Sequence, residues 1–322
     1  MFNNLLKGDF FTMAVENKKN TQIAIPYLLP AAIAIFIFTV LPILYTIFIS
    51  FTDYCGDNRL NGTWKFIGID NFLQIFNGKF SASLFPVFLW TVVFAFLSTA
   101  GSFLVGLIAA LLLNNENVKE RAIYKAILIL PWALPVTVAI LSWKGLLHGS
   151  EGAINNILVS LGIMSDSNRI LWLEDPFFAR MWLILINIWL GFPYMMNICL
   201  GALASIPKDY YEAADVDGAN KLIQFVKITL PSLANTAYPL LISSFSFNFN
   251  NFGSAYLVTN GNPAGESVYA GKTDILASVI YKFAVKKELY STGAALGIIV
   301  FVILAAISYA QMKLSGQFEE VK

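Results

Sequence analysis

The chain has little charge, a single histidine and two cysteines in 322 residues. Only 13% of its residues are charged, whereas soluble domains carry about a quarter, so an ordinary water-covered globular surface is excluded. With His148 as the only histidine and no Cys/His cluster in the sequence, a zinc site is excluded as well. The net charge of +1 and the absence of a basic face argue against a nucleic-acid partner.

Long apolar stretches take the place of these missing features. Hydrophobic residues make up 57% of the chain, and the charged residues leave six uncharged windows between them. A helix needs roughly 20 apolar residues to cross the hydrocarbon core of a bilayer. We therefore predict an all-α integral membrane protein with about six transmembrane helices, near residues 26–51, 85–113, 123–147, 181–206, 233–259 and 290–313.

These spans divide the chain into an N-terminal arm, an anchor and a core. The arm covers residues 1–25 and the first span is followed by a loop at 52–84. The core with the other five spans covers 85–313, and a tail follows at 314–322. The first span lacks a convincing cleavage site, so we expect it to remain as a membrane anchor. Lysine and arginine barely distinguish the two sides, with 11 on the side of the termini and 10 on the other.

Helix-breaking residues occur within the predicted spans at Pro131, Pro135, Gly191, Pro193 and Pro239. In a bilayer, non-helical backbone persists only where protein or a water-filled cavity satisfies its polar groups. The pattern favours a transport pathway, although each proline by itself also fits an ordinary kink. No charged side chain lies well inside a predicted span, which disfavours proton-coupled transport but leaves a sodium site made of carbonyls open.

The loop between the fourth and fifth spans contains the sequence EAADVDGANKLIQFVKITLP, which begins at Glu212. Asp209 is expected to cap a short helix over residues 210–217, and Glu212 then lies near the positive end of that helix. Gly218 supplies the left-handed residue that ends it. The sequence predicts a short surface helix between two membrane helices, and a solvated amphipathic loop is the alternative.

This loop resembles the EAA motif of the ABC importer permeases, in which EAA is followed by Asp-Gly-Ala, a Phe and Ile-x-Leu-Pro. Ten positions agree over twenty residues. The resemblance implies a type I permease bundle whose loop at 207–232 is cytoplasmic, as are both termini, and whose short helix couples to a separate ATPase. The coupling residues that it implies are Glu212, Ala213, Ala214, Asp217 and Gly218.

A second motif looks like a nucleotide-binding loop but has the wrong spacing. Residues 265–273 are GESVYAGKT, with five residues between the first glycine and Gly-Lys where a P-loop has four. We therefore expect no ATP or other cofactor on this chain, and we expect ATP and Mg²⁺ to be used by the partner ATPase.

Three more segments are similar to permease subunits of the maltose type: LPWALP from Leu130, NIWLGFPYMM from Asn187 and SFSFNFNNF from Ser244. The similarity runs from about residue 85 to the C-terminus. It implies a sugar cavity within the membrane, lined by Trp132, Val136, Leu190, Gly191, Tyr194, Phe247, Asn248, Asn251 and Gly253. Trp132 stands where this family has a tyrosine, while Val136 and Gly253 replace a serine and a valine.

The chemistry of these residues suits a neutral sugar. Asn248 and Asn251 are three positions apart and are expected to share a helix face, where amides serve sugar hydroxyls as donors and acceptors. Trp132, Tyr194 and Phe247 offer flat apolar surfaces. The alternative is that the asparagines hydrogen-bond one helix to another. Two further tryptophans near span ends, Trp143 and Trp172, are expected to be interfacial anchors.

The sequence thus predicts a permease subunit of an ATP-driven sugar importer in the cytoplasmic membrane, for maltose or maltodextrin, and not an enzyme. The partners that the resemblance implies are a second homologous permease, two copies of a cytoplasmic ABC ATPase, an extracytoplasmic sugar-binding protein and membrane lipid. The short loop at 52–84 leaves open how the binding protein docks. Two alternatives stay open: a permease for another solute, such as a different oligosaccharide or glycerol phosphate, and a self-sufficient secondary transporter.

Overall fold

The computed structural model describes residues 26–78, 80–115, 117–265 and 267–314, and these residues form an all-helical bundle without a β-strand. The predicted arm at 1–25 and nearly all of the predicted tail lie outside the described residues. The helices are α1 (Pro26–Ser50), α2 (Gly56–Asn61), α3 (Asp70–Asn77), α4 (Ser81–Leu113), α5 (Arg121–Leu128), α6 (Leu130–Ala133), α7 (Val136–Leu146), α8 (Ala153–Ser160), α9 (Pro176–Ala204), α10 (Lys208–Val216), α11 (Lys221–Gln224), α12 (Leu230–Phe249), α13 (Phe252–Thr259), α14 (Leu276–Tyr281) and α15 (Tyr290–Leu314).

Four of these helices, α1, α4, α9 and α15, are each long and apolar enough to cross a membrane, and they match four of the six predicted spans. Helix α9 begins five residues before its predicted start. Asp175 explains the difference, because its carboxylate accepts the backbone N–H groups of Phe177 at 2.9 Å and Phe178 at 3.0 Å. Pro176 then occupies the first helical position, where its missing N–H costs nothing.

The third and fifth predicted spans are wrong as continuous helices. Residues 123–147 form α5, α6 and α7. The break between α6 and α7 arises because Leu134 precedes Pro135 and takes an extended backbone with ψ 146°, as residues before proline prefer. Residues 233–259 are split between α12 and α13 at Asn250 and Asn251. Pro239 lies inside α12 without breaking it.

Helices α4 and α9 pack against each other as the central pair of the bundle. Their close approach depends on small residues of α4, namely Ser98, Ser102, Gly106 and Ala110, which are all buried at four-residue spacing. A methyl group added at Gly106 would lie 2.7 Å from the backbone nitrogen of Met196. The backbones of the two helices are therefore in direct contact.

The prediction that Trp172 is an interfacial anchor is wrong. Its ring is buried, and its Nε1–H donates to Asn155 Oδ1 at 2.9 Å. Asn155 in turn donates to the backbone carbonyls of Gly149 and Ile170, so the segment with α8 is fastened over the tryptophan. Trp143 is only partly buried and packs against Trp182 and Trp189 of the same cluster, and its role as an interfacial anchor stays a prediction.

Candidate functional site

A cavity of about 420 Å³ lies between α4, the α6–α7 break, α9 and the α12–α13 break. Eight of the nine residues predicted for the sugar cavity line it, and Gly253 does not. The complete lining is Ser102, Trp132, Val136, Asn187, Leu190, Gly191, Tyr194, Met195, Ser243, Ser244, Phe247, Asn248, Asn251 and Ser254. None of these fourteen side chains carries a charge.

The break between α6 and α7 brings two of the predicted residues to the cavity. Trp132 lies in the short α6 and Val136 begins α7, on either side of the extended Leu134. The Trp132 side chain is 57% exposed, and its ring lies 6.4 Å from that of Tyr194, with an interplanar angle of 35°. The two rings thus present a shared aromatic surface to the cavity.

Helix α9 reaches the cavity because Gly191 lies against α4. A methyl group at Gly191 would come within 2.7 Å of Ser102 Oγ. The absence of a side chain there keeps α9 close to α4, and it places Leu190 and Tyr194 on the cavity wall.

The break between α12 and α13 arranges the asparagines differently from the prediction. Asn248 lies in the last turn of α12, whereas Asn251 caps the start of α13 by accepting the backbone N–H of Ser254 at 3.2 Å. The two residues do not share a helix face, although both line the cavity. Phe247, beside them, lines the cavity and is 71% exposed.

A hydrogen-bond network joins the asparagines to three other helices. Asn187 Nδ2 donates to Asn248 Oδ1 at 2.7 Å, and Asn248 Nδ2 donates to Thr99 Oγ1 at 2.9 Å. Asn187 Oδ1 accepts from Asn251 Nδ2 at 2.9 Å and from Ser254 Oγ at 3.1 Å. Asn248 is buried and both of its amide atoms are used, so its contacts fit the alternative interpretation of a bond between helices. Both amide atoms of Asn251 also have a partner, but Asn251 is only partly buried, so its second N–H and its oxygen can still reach a ligand.

Six of the lining residues were not predicted from the sequence, namely Ser102, Asn187, Met195, Ser243, Ser244 and Ser254. A local signal existed for Asn187, because it lies three and four positions before Leu190 and Gly191 and therefore on the same face of α9. Ser254 had no such signal, since its place depends on where α13 begins.

The predicted coupling segment is a short helix on the surface, as expected. Glu212, Ala213 and Ala214 lie within α10, and Asp217 ends it. Gly218 has φ +74°, the left-handed conformation predicted for the residue that stops the helix.

The predicted cap at Asp209 is wrong. Helix α10 begins one residue earlier than Asp209, at Lys208, after Pro207, and no side chain caps its start. Because the φ of proline suits a helix start, the chain enters the helix before Asp209. That residue instead lies in the first turn, where its charge still favours the helix dipole.

A side-chain cluster closes the end of α10. The Gln224 Nε2–H and Lys221 Nζ both donate to Asp215 Oδ1. These two hydrogen bonds, with that of Gln224 the larger influence, lower the pKa of Asp215 below its usual value. The carboxylate is therefore ionised at neutral pH.

The segment that resembles a P-loop has another structure. It follows the end of α13 and forms a loop with an isolated bridge between Ser267 and Ala270. The backbone N–H of Gly271 donates to the Asp274 carboxylate at 2.7 Å, where a P-loop would turn such groups toward phosphate. Among the described residues, no cluster of histidine, cysteine and carboxylates is placed to hold a metal ion.

The chain is similar in sequence to a known protein family. The family model described as "Binding-protein-dependent transport system inner membrane component" matches residues 102–317. The maltose/maltodextrin transport system permease protein MalF of Vibrio vulnificus (strain YJ016) is 39% identical over 267 residues, which are 81% of this chain and 50% of the relative. MalF of Klebsiella aerogenes is 41% identical over 265 residues, which are 80% of this chain and 51% of the relative. The chain thus spans about half the length of these relatives.

A solved structure shares the fold across nearly the whole chain. A bacterial ABC transporter involved in the import of the acidic polysaccharide alginate contains a chain that superposes with a TM-score of 0.79 at 23% identity. The alignment covers 95% of this chain and 99% of that one. At this level of identity, the likeness concerns the fold alone.

Proposed function

The chain belongs to the family of binding-protein-dependent transport system inner membrane components, and on that basis we propose that it is the permease subunit of an ATP-driven sugar importer. The substrate that we propose is a neutral oligosaccharide of the maltose and maltodextrin class. The observation that carries the proposal is the uncharged cavity of about 420 Å³, which lies in a chain 39% identical to a maltose/maltodextrin permease over 81% of its length.

The cavity lining suits the two kinds of surface that a pyranose ring presents. Trp132, Tyr194 and Phe247 are exposed aromatic side chains, and their rings can cover the apolar faces of a sugar. Asn251 and the hydroxyls of Ser243 and Ser244 can exchange hydrogen bonds with its hydroxyl groups. We therefore assign the substrate contacts to these six residues, together with the apolar wall formed by Val136, Leu190 and Gly191.

The coupling that we propose uses α10. Glu212, Ala213, Ala214, Asp217 and Gly218 would dock into a separate cytoplasmic ATPase, present in two copies, which binds ATP and Mg²⁺. A second homologous permease and an extracytoplasmic sugar-binding protein would complete the complex. In this arrangement both termini of the chain are cytoplasmic, and closure of the ATPase dimer moves α10 so that the cavity changes the side to which it opens.

The lack of charged residues in the cavity argues against a permease for glycerol phosphate. A permease for glycerol phosphate would need lysine or arginine near the bound phosphate, and no cationic side chain is among the residues that line the cavity. A self-sufficient secondary transporter would move sugar without ATP. The dependence of uptake on ATP decides between that rival and our proposal.

The test uses the chain in proteoliposomes with its partner subunits, ATP and a series of labelled sugars from maltose to longer glucans. We expect Phe247→Ala to lower uptake at limiting sugar about tenfold, which corresponds to the loss of ~1.4 kcal/mol of sugar contact. Because Phe247 is largely exposed, its truncation leaves packing intact. Phe96→Ala is the matched control, since Phe96 is 60% exposed on α4 and lies outside the cavity. Equal uptake by the two variants, or uptake without ATP, would contradict the proposal.

A further inference from the structure

The end of α10 is tied to the helix that follows it by three side chains, Asp215, Lys221 and Gln224, which we name the coupling clasp. Gln224 is the only buried member, with 3% of its area exposed. Its Nε2 donates both to Asp215 Oδ1 and to the backbone carbonyl of Ala219, the latter at 3.0 Å. Its Oε1 accepts from Lys221 Nζ at 3.1 Å. One amide therefore joins α10, the turn after it and α11.

A second contact holds the beginning of α10. The hydroxyl groups of Tyr211 and Thr229 lie 2.9 Å apart, and the Tyr211 ring packs against the apolar cluster formed by α4, α9 and α12. With the coupling clasp at one end and Tyr211 at the other, α10 cannot rotate about the turn at Gly218 without breaking a hydrogen bond.

The helix on the other side of the turn leads directly to the cavity. Helix α11 continues into α12 without a break, through a short π-helical segment at Phe225–Thr229. Gln224 and Phe247 are 23 residues apart, which is about 35 Å along a helix at 1.5 Å per residue. A movement of α10 that is carried into α11 thus reaches the aromatic wall of the cavity.

The charged pair alone is too weak to transmit such a movement. The Lys221 and Asp215 side chains are 81% and 56% exposed, with 3.2 Å between Nζ and Oδ1, and exposed pairs of this kind contribute little. The Gln224 amide is harder to displace, because it is itself buried and would be left without hydrogen-bond partners away from water.

We infer that Gln224 is a positioning residue for energy coupling, which makes α10 and α12 move as one rigid body. This inference rests on the proposed function. It assigns Gln224 no contact with the ATPase or with sugar. Loss of its amide leaves the ATPase docked and able to hydrolyse ATP, while the movement of α10 no longer reaches the cavity in full.

The experiment compares Gln224→Leu with wild type in the complete complex. Leucine keeps a similar volume and removes the donor and the acceptor. We expect ATPase co-purification and ATP hydrolysis within twofold of wild type, and sugar moved per ATP hydrolysed about tenfold lower. Asp209→Asn removes a carboxylate from the first turn of the same helix and is expected to keep the wild-type ratio of sugar to ATP.

Two further variants keep the inference open to contradiction. Asp215→Asn removes the charge but keeps an oxygen that can accept from Gln224 Nε2, and we expect it to retain most of the ratio that Gln224→Leu loses. Glu212→Lys serves as the reference for lost docking. A wild-type ratio in Gln224→Leu, or loss of the ATPase as complete as in Glu212→Lys, would overturn the inference. If the wild-type complex itself shows no ATP-dependent uptake, the proposed function fails instead.

Discussion

Two segments of this protein are fastened to the helix bundle by opposite means. The loop at residues 260–275, which we name the Asp274 loop, is held by a buried ion pair. Asp274 has no exposed side-chain area, and its Oδ2 lies 2.6 Å from Lys282 Nζ. The same carboxylate also accepts from Ser278 Oγ and from the backbone of Gly271. Every oxygen of this buried anion has a partner.

Other helices also hold the Asp274 loop by its backbone. Trp90 Nε1–H on α4 donates to the Thr273 carbonyl at 3.1 Å, and Arg180 Nε–H on α9 donates to the Lys272 carbonyl at 2.8 Å. In the coupling clasp, by contrast, the charges face solvent and only Gln224 is buried.

The difference shows how burial decides which contacts are permanent. A desolvated pair is costly to separate, because each ion left behind stays out of water. An exposed pair exchanges its partner for water at little cost. The Asp274 loop is therefore built as a static part of the bundle, and the coupling clasp as a joint whose strength depends on one amide.

The largest effect is expected when the buried pair loses one member. We expect Lys282→Met to destabilise the protein by about 3 kcal/mol, because Asp274 is then left buried without its cation. Thermal unfolding of the purified chain measures the loss. Lys286→Met is the matched control, since Lys286 is exposed four positions further on, and equal unfolding temperatures for the two variants would show that the ion pair does not hold the loop.

A smaller effect is expected where the backbones of α4 and α9 are in contact. Gly106→Ala places a methyl group 2.7 Å from the Met196 nitrogen and 2.8 Å from the Phe192 carbonyl oxygen. Because backbone cannot move aside as a side chain would, we expect a loss of about 2 kcal/mol. Gly201→Ala has open space around the added methyl group and is expected to be neutral or slightly stabilising. Unfolding of the two variants at the same temperature would refute the close backbone contact.

The smallest effect concerns the pH dependence of the coupling clasp. Because the pKa of Asp215 is lowered in the folded protein, its contribution is present above the unfolded value of about 3.9. That contribution is lost as the pH falls through the lower folded value. Spin labels attached at Val216→Cys and Leu222→Cys, in a background of Cys55→Ala and Cys199→Ala, measure the distance across the turn.

The distance between these labels should stay constant from neutral pH down to the ordinary aspartate pKa and widen only below it. With Lys221→Ala added, widening should begin at a higher pH, because one of the two donors that lower the pKa is gone. A distance that changes between pH 5 and 7 would contradict this assignment.

Much of the fold was predictable because hydropathy is a local property. Each of the four long helices is predicted from its own uncharged stretch of sequence, without reference to the helices it packs against. Helix α10 and its end at Gly218 are likewise predicted from a continuous motif. The two broken spans were harder. Pro131 and Pro135 indicated one break, but the break at Asn250 has no proline, and Pro239 lies in an unbroken helix.

Most of the residues that line the cavity were predictable from the sequence, but the hydrogen bonds between them were not. Eight cavity residues followed from a family resemblance, yet their hydrogen bonds did not. Asn248 bonds to Asn187, 61 positions away, and to Thr99, 149 positions away. Sequence spacing placed Asn248 and Asn251 on one helix face, whereas the start of a new helix separates them.

From its sequence alone, this protein is determined to be an all-helical membrane protein of low charge, with an EAA-like motif and the amino-acid types of an uncharged cavity. Only the tertiary structure decided that Trp172 is buried, that an asparagine network joins four helices, and that Gln224 fastens α10 to the helix leading to the cavity. The physical reason is that hydropathy and helix signals act over a few neighbouring residues. A buried polar group, in contrast, is stable only beside partners that folding brings from elsewhere in the chain.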